Sequence, residues 1–458
     1  MTALSDRSCL AIILAAGEGK RMASSMPKVL HPVAGLPMVC HVIDTAVASG
    51  ATACAVVVGN QAERVTEAVA VHYPKASFHT QTERLGTAHA VLSARDAISQ
   101  AQEAGIDDII VLYGDVPLIQ RSTIDAARTS LANGADIVVL GFETAMPTGY
   151  GRLIMQGDTL TAIREEKDAS DEERKITFCN SGIMAFNSSI ALEVLDAVNN
   201  DNAQNEYYLT DAVETGHARG CKVVALDVPE EETLGVNDRV QLAEVNAIWQ
   251  RRTRDALMRS GVTMEAPETI ILHHDTVVEA DAVLEPNLVF GPKVHVASGA
   301  TIRAFSHLEG AMVGENAIIG PYARLRPGAT MEAGSKAGNF VEIKAARIGE
   351  GAKVNHLSYI GDAQIGAKAN IGAGTITCNY DGFLKHQTVV GEGAFIGTNT
   401  ALVAPVTIGK NANTAAGSVV YKDVPDDDLA IERSEQKNLS GKAKQLRERN
   451  LARKNEKK

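Results

Sequence analysis

The sequence predicts two unlike folds in one chain: an α/β domain with a mostly parallel sheet, then a parallel β-solenoid, joined by a helix. Three observations predict it. Residues 8 to about 228 alternate short apolar runs with helix-like stretches, the pattern of strands joined by crossover helices. From about Leu284 to Val420 an aliphatic residue recurs every six positions, often followed by Gly. A period of six fits neither an amphipathic helix nor an alternating strand. It fits a rod in which each repeat is one short strand plus a turn and three repeats close a coil. Finally, 458 residues are too many for one core, and an aromatic share of 4% suits a rod filled by Val, Ile and Ala.

In chain order, the candidate strands of the first part are Cys9–Leu14, Ala53–Val58, Ile109–Tyr113, Ile137–Gly141 and Val223–Leu226. Helix-like stretches at Met38–Ser49, Ala62–Val71 and Thr87–Ser99 lie between several of them. Ligands of such sheets sit beyond the carboxyl ends of the strands. The rich loops that follow strands are Ala15–Arg21, Gln81–Thr87 and Gly114–Pro117. Asp238 with Gln241 resembles a capping box and Gly261 a helix stop, which bounds a linker helix. The expected divisions are 1–236, a linker at 237–261, and 262–458 with a basic tail. The rod's registers read Leu284, Phe290, Val296, Ile302; then Val313, Ile319, Leu325, Met331, Ala337, Ile343; then Ile365, Ile371, Thr377; then Val390 to Val420. The register breaks at Val354-Asn-His-Leu-Ser-Tyr359 and again at Asn379-Tyr-Asp381. The tail after Glu432 reads as a solvated, disordered end.

A net charge of −12 argues against nucleic acid as a bulk partner. The six Cys are scattered without a CxxC. They read as reduced thiols of a cytoplasmic protein rather than as disulfides or a zinc site. The apolar run at Cys9 is too short to insert into a membrane and reads as a buried strand.

Leu14-Ala-Ala-Gly-Glu-Gly-Lys-Arg21 follows the first strand. Gly17 and Gly19 let the backbone approach a ligand and aim amides at phosphate, with Arg21 and Lys28 as further donors. It is not a Walker loop, and Met22 stands where a dinucleotide fingerprint has its third glycine. Taken alone, the GxG is equally a tight turn. Asp115 in Tyr113-Gly-Asp-Val-Pro117 can ligate magnesium or simply occupy a surface turn. Asn237 is a second ligand or part of a helix start, and its setting favours the cap. In the rod, His356 has the intrinsic pKa of a general base. Arg326 and Lys344 offer phosphate contacts or are surface charges, and Cys378 reads as a small buried rod residue.

LAAGxGxR, the Pro-Lys-Val-Leu after it, Gly-Thr-Ala-His-Ala, Leu-Tyr-Gly-Asp-Val-Pro-Leu, Pro-Thr-Gly-Tyr-Gly-Arg and Asn-Glu-Tyr-Tyr-Leu-Thr-Asp resemble sugar-1-phosphate nucleotidyltransferases. Nearly the whole chain resembles the bifunctional GlmU family, an N-acetylglucosamine-1-phosphate uridylyltransferase fused to a glucosamine-1-phosphate N-acetyltransferase. The resemblance implies a Rossmann-like nucleotidyltransferase domain and a left-handed parallel β-helix. It implies that Leu14, Ala15, Ala16 and Gly17 line the uridine nucleotide and that Arg21 and Lys28 hold its phosphates. Gln81, Gly86 and Thr87 would recognise uracil, with Tyr113 and Gly114 beside them. Asp115 and Asn237 would bind magnesium, and Gly151, Glu165 and Asn180 the N-acetylglucosamine part. On the β-helix, His356 matches the catalytic base. Arg326, Glu342, Lys344, Tyr359 and Asn370 match the glucosamine-1-phosphate site. Ala373, Asn379, Tyr380, Thr398, Ala416 and Arg433 match acetyl-CoA positions. UTP, acetyl-CoA, glucosamine 1-phosphate and N-acetylglucosamine 1-phosphate are the implied substrates, and a homotrimer the implied assembly. Lys20 departs from the family's usual Thr and Thr398 from a Ser found in some relatives. A single-activity nucleotidyltransferase with a regulatory solenoid, or a non-catalytic scaffold, is the rival that loss of these residues would have favoured.

Overall fold

The computed structural model describes Leu4 and residues 7–456. The chain divides into two compact units, Met1–Asp255 and Ala256–Lys458.

The first unit is built on a nine-stranded sheet. Its main path runs Val223–Asp227, Ile137–Glu143, Phe178–Asn187, Asp108–Tyr113, Cys9–Ala15, Ala51–Val58, Ser77–Thr80. Cys9–Ala15 pairs in parallel with both Ala51–Val58 and Asp108–Tyr113. It is buried along its whole length. Cys9, Ala11 and Ile13 enter one core while Leu10, Ile12 and Leu14 enter the other, as a sheet covered on both faces requires. The five expected strands are present.

Two departures matter for the site. Phe178–Asn187 runs antiparallel between two parallel neighbours, and the hairpin Arg152–Gln156/Thr159–Arg164 branches from it. Its irregularity between Asn180 and Met184 puts Asn-Ser-Gly inside an otherwise apolar strand, which is why no strand was expected there. The helix expected over Thr87–Ser99 is two, Thr87–Leu92 and Arg95–Glu103.

Asp108, fully buried at the start of its strand, pairs with Arg7 and with Arg128 at 3.0 Å. Arg128 also donates to the carbonyl of Arg7 at 2.6 Å and to that of Ser49. These bonds tie the chain start and two helical segments to the sheet.

The helix Arg239–Arg259 is capped by Asp238, whose Oδ1 accepts from the Val240 and Gln241 amides at 2.9 Å. The Gln241 side chain reaches back to the Asn237 amide at 2.8 Å. The arrangement is a capping box displaced by one residue. Gly261, at φ +102°, takes the left-handed conformation that stops the helix.

The second unit is a β-helix of parallel ladders. Successive coils pair Val283 with Thr301, Thr301 with Ile318, Ile318 with Lys336, and Lys336 with Lys353. The six-residue positions Leu284, Ile302, Ile319, Leu325, Ile343, Ile396 and Ile408 are wholly buried.

The register does not break at Val354–Tyr359. Ile348, Val354 and Ile360 are all fully buried at six-residue spacing. The short steps fall instead at Ile343–Ile348 and Ile360–Ile365. The expectation failed because Leu357, the apolar residue of that stretch, sits exposed at φ +51° on a turn, while Ser358 points inward. The break near Asn379 is a true insertion. Asn370 pairs with Phe395 across an outlying loop that Tyr380 and Lys385 close by an antiparallel bridge.

The tail is solvated, and its segment Lys442–Glu456 is helical rather than irregular. Lys442–Glu456 is a helix with no buried residue, formed by strong helix formers and a Lys444–Glu448 pair. No helix among the described residues is long and apolar enough to cross a membrane.

Candidate functional sites

In the first unit, the carboxyl ends of the central strands open into a cavity of about 370 Å³. Of the expected residues, Leu14, Ala16, Gly17, Lys28, Gln81, Gly86, Thr87, Tyr113 and Asp115 line it. Gly19, at φ +63°, lies against the Lys28 stem, where an added Cβ would stand 2.5 Å from the Lys28 Cβ. The Lys28 ammonium contacts an Asp115 carboxylate oxygen and, at 3.3 Å, Asn237 Oδ1. Asn237 is therefore not the helix cap, which Asp238 supplies. It turns toward Asp115, and the two residues present oxygen atoms around one cation. Such hard oxygen donors suit a divalent ion of the magnesium class.

Three expected contacts are indirect. Ala15 is buried in the sheet core. Gly114 donates its amide to Leu14 O at 2.9 Å, holding two strand ends together. Arg21 is exposed on the turn Lys20–Met22, outside the cavity lining. Lys20 is drawn away by Glu18, at 2.8 Å, and Glu18 also pairs with Arg84. Those two partners hold the Glu18 carboxyl below its ordinary range, Lys20 first.

Gly86 makes the far wall. It sits at φ +117°, and an added Cβ would lie 2.3 Å from Tyr207 O. Gln81 Nε2 donates to Gly86 O at 3.3 Å. Glu18, Arg84 and Glu206 also line the cavity and escaped the sequence reading. Arg84 lay inside a loop already singled out, so its charge was the available signal.

Gly151, Glu165 and Asn180 form a neighbouring cluster. The Asn180 amide donates to Gly151 O at 2.8 Å, and a Cβ on Gly151 would stand 3.5 Å from the Glu165 carboxyl. Thr210 Oγ1 donates to Glu165 at 3.2 Å. Glu165 lines a second cavity of about 330 Å³ with Asp168, Asp211 and Glu214. Burial raises the Glu165 carboxyl. Burial, then Glu214 and Glu165, pushes Asp211 up to about 6. Tyr113 lines the first cavity. It packs on Gly182, and burial, then Asp115 and Glu165, raises its phenol, so it remains a neutral donor.

On the β-helix, His356 is exposed at the end of the strand Lys353–His356. Its Nδ1 lies 2.6 Å from Asn339 Oδ1 on the coil before. An amide oxygen only accepts, so the ring donates this bond through Nδ1, which in a neutral imidazole leaves the lone pair on Nε2. Across the same corner, Glu342 and Tyr359 are ladder partners. Arg326 donates to Glu342 at 2.8 Å, which raises the guanidinium pKa. Lys344 lies beside Lys385, whose side-chain contact and then charge lower the Lys344 pKa. Two ammonium groups and Arg326 thus gather where an anion would relieve their repulsion.

The expected acetyl-CoA positions climb one edge from His356. Gly374 N donates to His356 O at 3.1 Å, Asn399 N to Ala373 O at 2.7 Å, Gly417 N to Thr398 O at 2.8 Å, and Arg433 Nη1 to Ala416 O at 2.9 Å. Asn379 is buried and donates to Asp362. It and the Tyr359 hydroxyl close over Gly361, where a Cβ would lie 2.8 and 2.5 Å from them. Asn370 lies within its ladder between Lys353 and Phe395. Tyr380 is exposed on the inserted loop. Cys378 is half-buried rather than inside the rod, because Thr377 takes the inward position. Asn339, Gly361 and Lys385 were not foreseen. The first two act through coil-to-coil register, which one sequence does not display.

Residues 11–180 match the MobA-like NTP transferase domain, and residues 387–422 match the bacterial transferase hexapeptide model of six repeats. Three similar proteins, each named bifunctional protein GlmU, come from Agrobacterium fabrum, Rhizobium rhizogenes and Xanthobacter autotrophicus. The first is 54% identical over 453 residues, 99% of this chain and 99% of the relative. The second is 56% identical over 447 residues, 98% of each. The third is 56% identical over 444 residues, 97% of this chain and 98% of the relative. With both domain types, both clusters and full-length identity above half, the chain belongs to the bifunctional GlmU family.

Proposed function

We propose that this chain acetylates glucosamine 1-phosphate with acetyl-CoA and then joins the product to UTP, giving UDP-N-acetylglucosamine and pyrophosphate. The observation that carries this reading is the pairing of two unlike sites on one chain. One is the Lys28–Asp115–Asn237 cluster in the strand-end cavity. The other is His356, oriented by Asn339 beside the Arg326–Lys344–Lys385 cations.

In acetyl transfer, the sugar amine attacks the thioester carbonyl. A C–N bond forms, the C–S bond breaks, and CoA leaves as the thiol. His356 Nε2 takes the amine proton. Arg326, Lys344, Tyr359 and Asn370 hold the sugar phosphate. Glu342 fixes Arg326 and orients the amine. Ala373, Asn379, Tyr380, Thr398, Ala416 and Arg433 track acetyl-CoA along the rod's edge.

In uridylyl transfer, a sugar-phosphate oxygen attacks the α-phosphate of UTP and pyrophosphate leaves. Neutralising and aligning anions is the main task, and no covalent intermediate is needed. Asp115 and Asn237 would hold magnesium, which supplies neutralising charge to the phosphates. Lys28 and the loop amides at Gly17 hold the phosphates, with Arg21 at the loop's outer end. Leu14 and Ala16 line the nucleotide, with Ala15 behind them in the sheet core, and Gln81, Gly86 and Thr87 read uracil. Gly151, Glu165 and Asn180 receive the acetylated sugar.

Assembly as a homotrimer is part of the proposal. Phe305, Tyr322 and Phe340 stack outward with ring centroids 4.9 and 5.3 Å apart, and exposed Leu357 extends the ridge beside His356. The reading is tested by giving the purified chain glucosamine 1-phosphate, acetyl-CoA, UTP and magnesium. One CoA and one pyrophosphate per UDP-N-acetylglucosamine is the expected balance. Pyrophosphate release that is independent of acetyl-CoA would contradict it.

A further inference from the structure

The first coil of the β-helix carries a tight turn between Ile271, which bridges to Val289, and the strand Val277–Val278. Its side chains His273, His274 and Asp275 bring two imidazole nitrogens and a carboxylate oxygen within 4.8 Å of one another. The turn is closed in both directions. Thr276 N donates to His273 O, and His273 N to Thr276 Oγ1, each at 3.1 Å. The next coil holds the carboxylate, since the Lys293 amide donates to its two oxygens at 3.1 and 3.0 Å. His273 Nδ1 lies 2.6 Å from Asp275 Oδ1, and the two imidazole rings are 4.7 Å apart. All three residues are half-buried.

We propose that this turn binds a divalent ion of the zinc, nickel and copper class, with His273, His274 and Asp275 as its ligands. Two imidazoles with one carboxylate suit borderline cations, whereas magnesium and calcium favour all-oxygen sets. The ion takes the place of the proton shared by His273 and Asp275. Tetrahedral bonds of roughly 2.0–2.2 Å would part that nitrogen and oxygen to roughly 3.3–3.5 Å, so the turn opens by less than an ångström. The Lys293 amide then serves as the hydrogen bond that orients a ligating carboxylate. The fourth position stays open to water. None of these residues belongs to either reaction site, so the ion braces the turn against its neighbouring coil.

The test is calorimetric titration of the full-length, metal-stripped chain with zinc chloride in excess magnesium. Wild type is expected to take up one more zinc per chain than His274→Ala or Asp275→Asn, or to bind that zinc at least tenfold more tightly. Asp275→Asn keeps an acceptor for Lys293, so it separates loss of the ligand from loss of the turn. Unchanged acetyl transfer in both variants shows that the β-helix is intact. Equal zinc stoichiometry and affinity in wild type and both variants, or no zinc uptake by wild type, overturns the proposal.

Discussion

His356 gains its direction from a single neighbour. Asn339 accepts from Nδ1 and leaves Nε2 free of that bond, turned to the outer face for the proposed proton transfer. Replacing Asn339 by Ala frees the ring and the tautomer. The expected result is a fall in acetyl-transfer kcat of roughly ten- to a hundredfold, by analogy with the loss of groups that orient a functional imidazole. Pyrophosphate release from UTP should be unchanged, and steady-state kinetics of the two half-reactions checks both. Asp211 makes a pH prediction. Its carboxyl is raised from 3.8 to about 6, mainly by burial. A folded-state pKa above the unfolded one means that the folded form favours the proton. That contribution is complete below about pH 4 and is lost as pH rises through about 6. Asp211→Asn should therefore raise thermal stability at pH 8, by ~1–2 kcal/mol after solvent screening, and flatten the pH dependence between 4 and 6. Equal melting shifts at pH 4 and pH 8 would contradict the assignment. At this scale the sequence displayed the charged residues but not their partners. Lys28 and Asp115 stood in recognisable loops, whereas Asn237 was weighed as a cap because its contact with Lys28 spans more than two hundred positions.

Loops and coils carry the next level of constraint. Gly86 is required because its φ is +117° and the Tyr207 carbonyl occupies the space of a Cβ. Gly86→Ala should displace the loop Gln81–Thr87 and raise the KM for UTP at least tenfold, leaving acetyl transfer intact. An unchanged KM would show that this loop does not read the nucleotide. In the rod, the six-residue period was legible because each inward position is aliphatic or small, and every coil repeats it. The five-residue steps at Ile343–Ile348 and Ile360–Ile365 were misplaced because an exposed Leu357 at a left-handed turn mimics an inward residue. The strand Phe178–Asn187 was invisible for the opposite reason: its polar centre is a register irregularity that carries Asn180, whose amide meets Gly151. The tail helix shows that solvent-exposed basic sequence can be ordered locally by helix propensity and i,i+4 pairing without any core.

At the scale of the whole molecule, one chain houses two separate clusters of reactive groups. Each compact unit contains one complete candidate cluster: Lys28, Asp115 and Asn237 in Met1–Asp255, and Asn339, His356, Glu342 and Arg326 in Ala256–Lys458. Fold class was readable at this level because alternation and the hexapeptide period are properties of long segments. The chemistry rested on short motifs whose meaning came from resemblance. The most direct measurement compares wild type, His356→Ala and Asp115→Ala in two half-reactions. One follows free CoA from glucosamine 1-phosphate and acetyl-CoA. The other follows pyrophosphate from UTP and N-acetylglucosamine 1-phosphate with magnesium. His356→Ala should lose CoA release by at least a hundredfold and keep pyrophosphate release, and Asp115→Ala should do the reverse. A variant that loses both activities while remaining folded, or a wild type that never releases CoA, would contradict two independent sites on one chain.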